Sequence, residues 1–71
     1  MKKAKGEQGW DAVSIRALRS HLDITQVELA GQMGIRQQTV SEWEQGDYKP
    51  RGASAKLLSI IADRSGFKYR A

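Results

Sequence analysis

Apolar side chains recur along this chain at helical spacing, in stretches separated by short polar or glycine-containing breaks. In the first stretch Ile15, Leu18 and Leu22 fall at i, i+3 and i+7. They predict a helix over about Asp11 to Ser20, with Asp11 placed to cap it. Trp10, just ahead of the cap, reads as a core or rim aromatic packed on the start of that helix. Asp23 reads as a turn residue before Ile24 re-enters the core. The second stretch opens with Thr25 and Glu28, a Thr-x-x-Glu capping box, and continues with Leu29, Ala30 and Met33 on one face. Gly34 is placed to end it, because glycine accepts the left-handed conformation that helix ends use.

The third stretch predicts a helix over about Gln37 to Glu44, with Val40 and Trp43 as its buried side and Gly46 at its end. Gln37, Gln38, Ser41 and Glu42 lie off that apolar line and face outward. Arg36 precedes this helix, and a guanidinium accepts no hydrogen bond, so the helix start lacks a side-chain cap. A turn-rich linker, Gln45 to Gly52, leads to a fourth helix at about Ala53 to Ala62. Leu57, Leu58, Ile60 and Ile61 cover more than one face of it. Part of that surface closes the core, and part forms a self-association seam. The reading is thus all-α, with four helices in a domain over residues 10–63. Residues 1–9 form a flexible basic arm and residues 64–71 a tail. In that tail Phe67 and Tyr69 alternate with Lys68 and Arg70, as in a short strand or an ordered extension.

Seventy-one residues make one domain with a small core, which needs good helix packing or self-association for support. Without cysteine there is no disulfide framework and no thiolate zinc site. His21, the only histidine, sits at a helix end and reads as a surface residue rather than a catalytic or metal-binding one. With no phosphate-cradling glycine loop and no metal-ligand spacing either, the sequence implies no enzyme, no cofactor and no metal. No apolar run approaches the ~20 residues of a membrane span, and no apolar stretch follows the basic start as in a secretory signal. A cytoplasmic protein is the expectation.

The net charge of +4 favours an anionic partner, nucleic acid first. The bases lie at the two ends of the chain. Between Thr25 and Asp47 the acids Glu28, Glu42, Glu44 and Asp47 face a single base, Arg36. Glu28 is occupied by capping; Glu42 has no such role and is the residue that most opposes DNA at this surface.

The residues Thr25-Gln26, Glu28-Leu29-Ala30, Gly34-Ile35, Thr39-Val40-Ser41, Trp43-Glu44 and Gly46, in register, resemble the helix-turn-helix of the lambda-repressor-like (Xre/Cro-type) DNA-binding family. The resemblance extends back to Ile15-Arg16-Ala17-Leu18-Arg19 and forward to Pro50 and Leu57-Leu58, covering roughly residues 13–62. It implies a small four-helix domain, extended to five helices in many relatives, that binds a two-fold operator as a homodimer and acts as a repressor. Small relatives also serve as antitoxins, so a toxin protein is a second partner the resemblance allows. A third reading, from another class, is a protein-interaction module that kept the fold and lost DNA binding. The acidic stretch supports it.

The reading helix of such a domain enters the major groove with its first turn. Glutamine carries both a donor and an acceptor and binds adenine N6 and N7 together, so Gln37 and Gln38 are the candidate base readers. Ser41 lies one turn on. Glu42 accepts from cytosine N4 or repels phosphate and rejects wrong sites. The candidate phosphate contacts are Gln26, Arg36, Thr39, Tyr48, Lys49 and Arg51. By the resemblance, Gln26 also steadies Gln37, and Arg19 pairs with Glu44 to hold the reading helix. Ala30, Gly34, Val40 and Trp43 read as structural, Ala30 being small because two helices cross there.

Overall fold

Side chains cap the first two helices of the protein and a left-handed residue ends each of the four, as the computed structural model, which describes residues 9–67, shows. Helix α1 spans Ala12–Leu22, α2 Gln26–Met33, α3 Gln37–Gln45 and α4 Gly52–Ser65, and no strand occurs among the described residues. Asp11 caps α1: its Oδ1 accepts from the Ser14 N–H at 2.9 Å, and Ser14 Oγ accepts from the Asp11 N–H at 2.9 Å. That backbone hydrogen bond is the main reason the Asp11 carboxyl is held below its ordinary range. Asp23 ends α1 in the left-handed conformation at φ 58°, which aspartate tolerates better than most residues. The expected box at α2 forms both ways, with Glu28 N–H to Thr25 Oγ1 at 3.1 Å and Thr25 N–H to Glu28 Oε1 at 2.9 Å. Gly34 ends α2 at φ 72°, and the Ile35 N–H returns to the Ala30 carbonyl at 3.0 Å, closing the tight turn into α3.

The core takes something from every helix. Ile15 and Leu18 come from α1, Leu29, Ala30 and Met33 from α2, Val40 and Trp43 from α3, and Leu58 and Ala62 from α4, with Trp10 joining from ahead of α1. The Trp10 indole N–H donates to Ser59 Oγ at 2.9 Å, and its ring stacks on Phe67. These contacts tie the start of α1 to the middle of α4 and to Phe67 beyond its end. Ala30 is buried on α2, whose packing against α3 makes the helix-turn-helix pair.

Helix α4 is longer than its apolar pattern predicts. It runs from Gly52 through Ser65 instead of ending near Ala62, and Gly66 stops it at φ 75°. The Phe67 N–H then bonds to the Ala62 carbonyl at 2.9 Å, and the ring packs against the core. His21 is exposed but engaged: Nε2 lies 2.9 Å from the Ser65 carbonyl oxygen, and the ring meets Phe67 at 5.3 Å. The Gly66 cap and these contacts, of which those of His21 are long-range, hold a last turn that its polar residues do not announce. The arm ahead of Gly9 and the alternation beyond Phe67 lie outside the described residues.

Arg36 occupies the cap position of α3 in an extended conformation, with no side-chain hydrogen bond to the helix. Serine fits that backbone unchanged and accepts from a free N–H. Arg36→Ser is expected to raise stability by ~1 kcal/mol in chemical denaturation. If Arg36 touches phosphate as well, the same variant binds DNA more weakly.

Candidate nucleic-acid interface

Helix α3 is positioned by a buried polar cluster at its C-terminal end. Glu44, the one buried charged residue among those described, is 7% exposed. Its Oε2 lies 2.6 Å from Arg19 Nε and its Oε1 2.9 Å from Arg19 Nη2, a bidentate pair across α1 and α3. Arg19 Nη1 also donates to the Ile24 carbonyl at 3.1 Å. One turn back on α1, Arg16 donates through Nη1 to the Glu44 main-chain carbonyl. That carbonyl is one of the oxygens a helix end leaves unpaired. Burial pushes the Glu44 carboxyl up, but hydrogen bonds from Arg19 and Gln26 and the charges of Arg19 and Arg16 outweigh it. The net shift is downward. The hydrogen bond to Glu44 raises Arg19 in turn, so both partners favour the ionised pair. No buried side-chain polar atom among the described residues lacks a partner.

The cluster reaches the surface through Gln26. This residue opens α2, donates through Nε2 to Glu44 Oε1 at 3.1 Å, and accepts through Oε1 from Gln37 Nε2 at 2.7 Å. Gln37 and Gln38 form the exposed first turn of α3. Gln38 Nε2 lies 3.4 Å from Glu42 Oε2, a weak tie at most. Ser41 and Glu42 are half-buried, and Ser41 Oγ accepts from Gln45 Nε2 at 3.0 Å. The polar candidates therefore share one face of α3, opposite Val40 and Trp43. Beyond it, Thr39, Trp43, Tyr48, Lys49, Arg51 and Ser54 line an open groove between the end of α3 and the start of α4. Tyr48 is 63% exposed, and Lys49 and Arg51 are exposed beside it. The charge of Lys49 also helps hold the Asp11 carboxyl down.

Arg16 is the residue this cluster adds to the expected set. Its position three before Arg19 put it on the right flank of α1, but its acceptor is a main-chain oxygen on another helix. Nothing local in the sequence marks such a partner. Among the described residues no group of His, Cys, Asp or Glu is arranged to hold a metal ion. No helix there is long and apolar enough to cross a membrane.

A tight two-helix turn packed under α1 and α4, with the second helix presenting a polar outer face, defines a helix-turn-helix DNA-binding domain. A family model described as helix-turn-helix matches residues 15–65, well over half of the chain. The protein belongs to the Xre and lambda-repressor-like helix-turn-helix family of DNA-binding regulators. No curated protein and no solved structure matches the chain significantly.

Proposed function

We propose that the protein is a sequence-specific repressor that binds a two-fold operator as a homodimer and reads each half-site with the first turn of α3. The observation that carries this reading is the pair Gln37 and Gln38. Both are exposed where a groove-entering helix meets base edges, and Gln37 is held in place by Gln26. Ser41 and Glu42 stand next in line on the same face. Gln26, Arg36, Thr39, Tyr48, Lys49 and Arg51 flank it as the phosphate contacts. The dimer is supported by the apolar surface of α4, where Ile60 is 41% exposed and Leu57 and Ile61 line a shallow apolar groove with Leu22. Two copies joined there would present paired reading helices, with half-sites about 34 Å apart.

The antitoxin variant keeps the same DNA-binding face and gives the apolar groove to a toxin instead of a second copy. Sedimentation of the purified chain with operator DNA distinguishes them. The repressor reading expects two chains per duplex without any second protein; one chain per duplex contradicts the dimer.

Salt titration tests DNA binding itself. Arg36, Lys49 and Arg51, counted in both copies, give a slope of log Kobs against log salt of roughly −5. Arg51→Ala is expected to reduce that slope by about two units per dimer. An interaction module that had lost DNA binding would show affinity for duplex that is weak and independent of sequence.

A further inference from the structure

The outer face of α3 is polar at every position. Gln37, Gln38 and Gln45 are exposed on it, and Ser41 and Glu42 are half-buried. The two large apolar side chains of the helix, Val40 and Trp43, are buried on the opposite side. Thr39 carries the one other methyl group of α3. It is half-buried and lines the open groove toward the start of α4, with Tyr48 and Ser54. A base methyl in the major groove is read by apolar contact, from alanine, a threonine methyl or phenylalanine. Among the described residues the outer face of α3 offers no such contact. It reads bases through hydrogen bonds alone, and a methyl group placed against it gains nothing.

Two base methyls differ in what they do to those hydrogen bonds. The thymine C5 methyl leaves every donor and acceptor of the A·T pair in place. A methyl on adenine N6 does not. That nitrogen carries two hydrogens, one of which pairs with thymine. The methyl must replace the other, because on the pairing side it would break the base pair. The replaced hydrogen is the one a glutamine carbonyl accepts in the groove. The methyl carbon then stands where the glutamine Oε1 would sit, and that oxygen is buried without a donor. Gln37 has little room to retreat, since its Nε2 donates to Gln26 Oε1 at 2.7 Å and swinging aside gives up that bond. Beside Gln38 lies the Glu42 carboxylate, which an added methyl desolvates.

We propose that the protein senses the methylation state of its operator. A methyl on adenine N6 at the base pair Gln37 reads switches binding off, while thymine methyls facing α3 go unread. The inference rests on the reading of α3 as the groove helix, and it narrows the ligand to DNA unmodified at N6. Gln38, whose tie to Glu42 is long, swings aside more easily, so a methyl at its base pair is the milder block. On a two-fold operator the effects of the two half-sites multiply.

The test is a binding titration of the full chain on its selected duplex. Gln37→Ala identifies the base pair in question, as the position whose preference it abolishes. The duplex is then synthesised with N6-methyladenine at that position in one or both half-sites, and separately with uracil for thymine at the pairs facing α3. The expected loss is roughly tenfold for one methylated half-site and roughly 100-fold for two, with a change under about twofold for uracil. Gln37→Ala has no carbonyl for the methyl to displace, so it is expected to bind methylated and unmethylated duplexes with equal, lowered affinity. Wild-type chain that binds the methylated duplex undiminished, or a methyl penalty that persists in Gln37→Ala, overturns the proposal while the groove reading stands. So does a motif without adenine at that position, or a uracil duplex bound several-fold more weakly, which would show that methyls are read. Wild-type chain that selects no sequence overturns the groove reading itself.

Discussion

Glu44→Ala is expected to lower the melting temperature by 15 °C or more, or to leave the chain unfolded at 37 °C. The variant strands Arg19, whose guanidinium is held mainly by the carboxylate, and removes the fixed partner of Gln26. Breaking a buried pair from one side costs ~3–5 kcal/mol. A domain of this length has ~4–11 kcal/mol in all, and each kcal/mol moves its midpoint by ~4–8 °C. The matching change at Glu42, half-buried with one weak contact, is expected to cost under ~0.5 kcal/mol and to alter sequence preference instead. Thermal melts in which the two variants are equally stable would refute this assignment. The same pair gives the fold a pH dependence. Because the Glu44 carboxyl is lowered in the folded state, its contribution is complete above the ordinary range, about 4.3, and is lost as pH falls through the lower folded value. Glu44→Gln is expected to flatten that part of the acid limb in a melt series from pH 7 downward.

Gln37→Ala and Gln38→Ala are each expected to cost ~1–3 kcal/mol of discrimination at one base pair, about 5- to 150-fold, with little change in stability. Gln37 is expected to lie toward the upper end. Its amide is already oriented by Gln26, so less rotamer entropy is lost on docking than for Gln38. Competition between the selected duplex and single-base variants measures both effects. Loss of affinity that is the same for every duplex would place these side chains on the backbone, not on base edges.

How much of this was legible beforehand follows from how local each signal is. The Thr25–Glu28 box, Gly34, Gly46 and Asp11 act within a few residues of themselves, and the helices begin and end where those residues say. Asp11 closes its box with Ser14, a shorter partner than the usual glutamate, and the start of α1 was readable all the same. The end of α4 was placed too early, although Gly66 marks it as Gly34 and Gly46 mark theirs. Its last turn, Asp63-Arg64-Ser65, is polar, and what holds it is a ring from α1 and the return of Phe67 to the core. The pairing of Arg19 with Glu44 came from resemblance to a family, and so did the support of Gln37 by Gln26. Both appear in the structure at hydrogen-bonding distance. The link between the two, Gln26 to Glu44, joins residues on different helices through a side-chain amide. No spacing in the sequence encodes it.

The account depends on the first turn of α3 aiming Gln37 and Gln38 at nucleobases from a scaffold anchored at Glu44. Duplex selection from a random pool, run at low and moderate salt with the wild-type chain and the Gln37→Ala/Gln38→Ala double variant, tests this most directly. The wild-type chain should return one two-fold motif at both salts. The double variant, still folded, should retain DNA at low salt without enriching that motif. Recovery of the same motif by the double variant would contradict the account, because the sequence would then be read by some other part of the molecule.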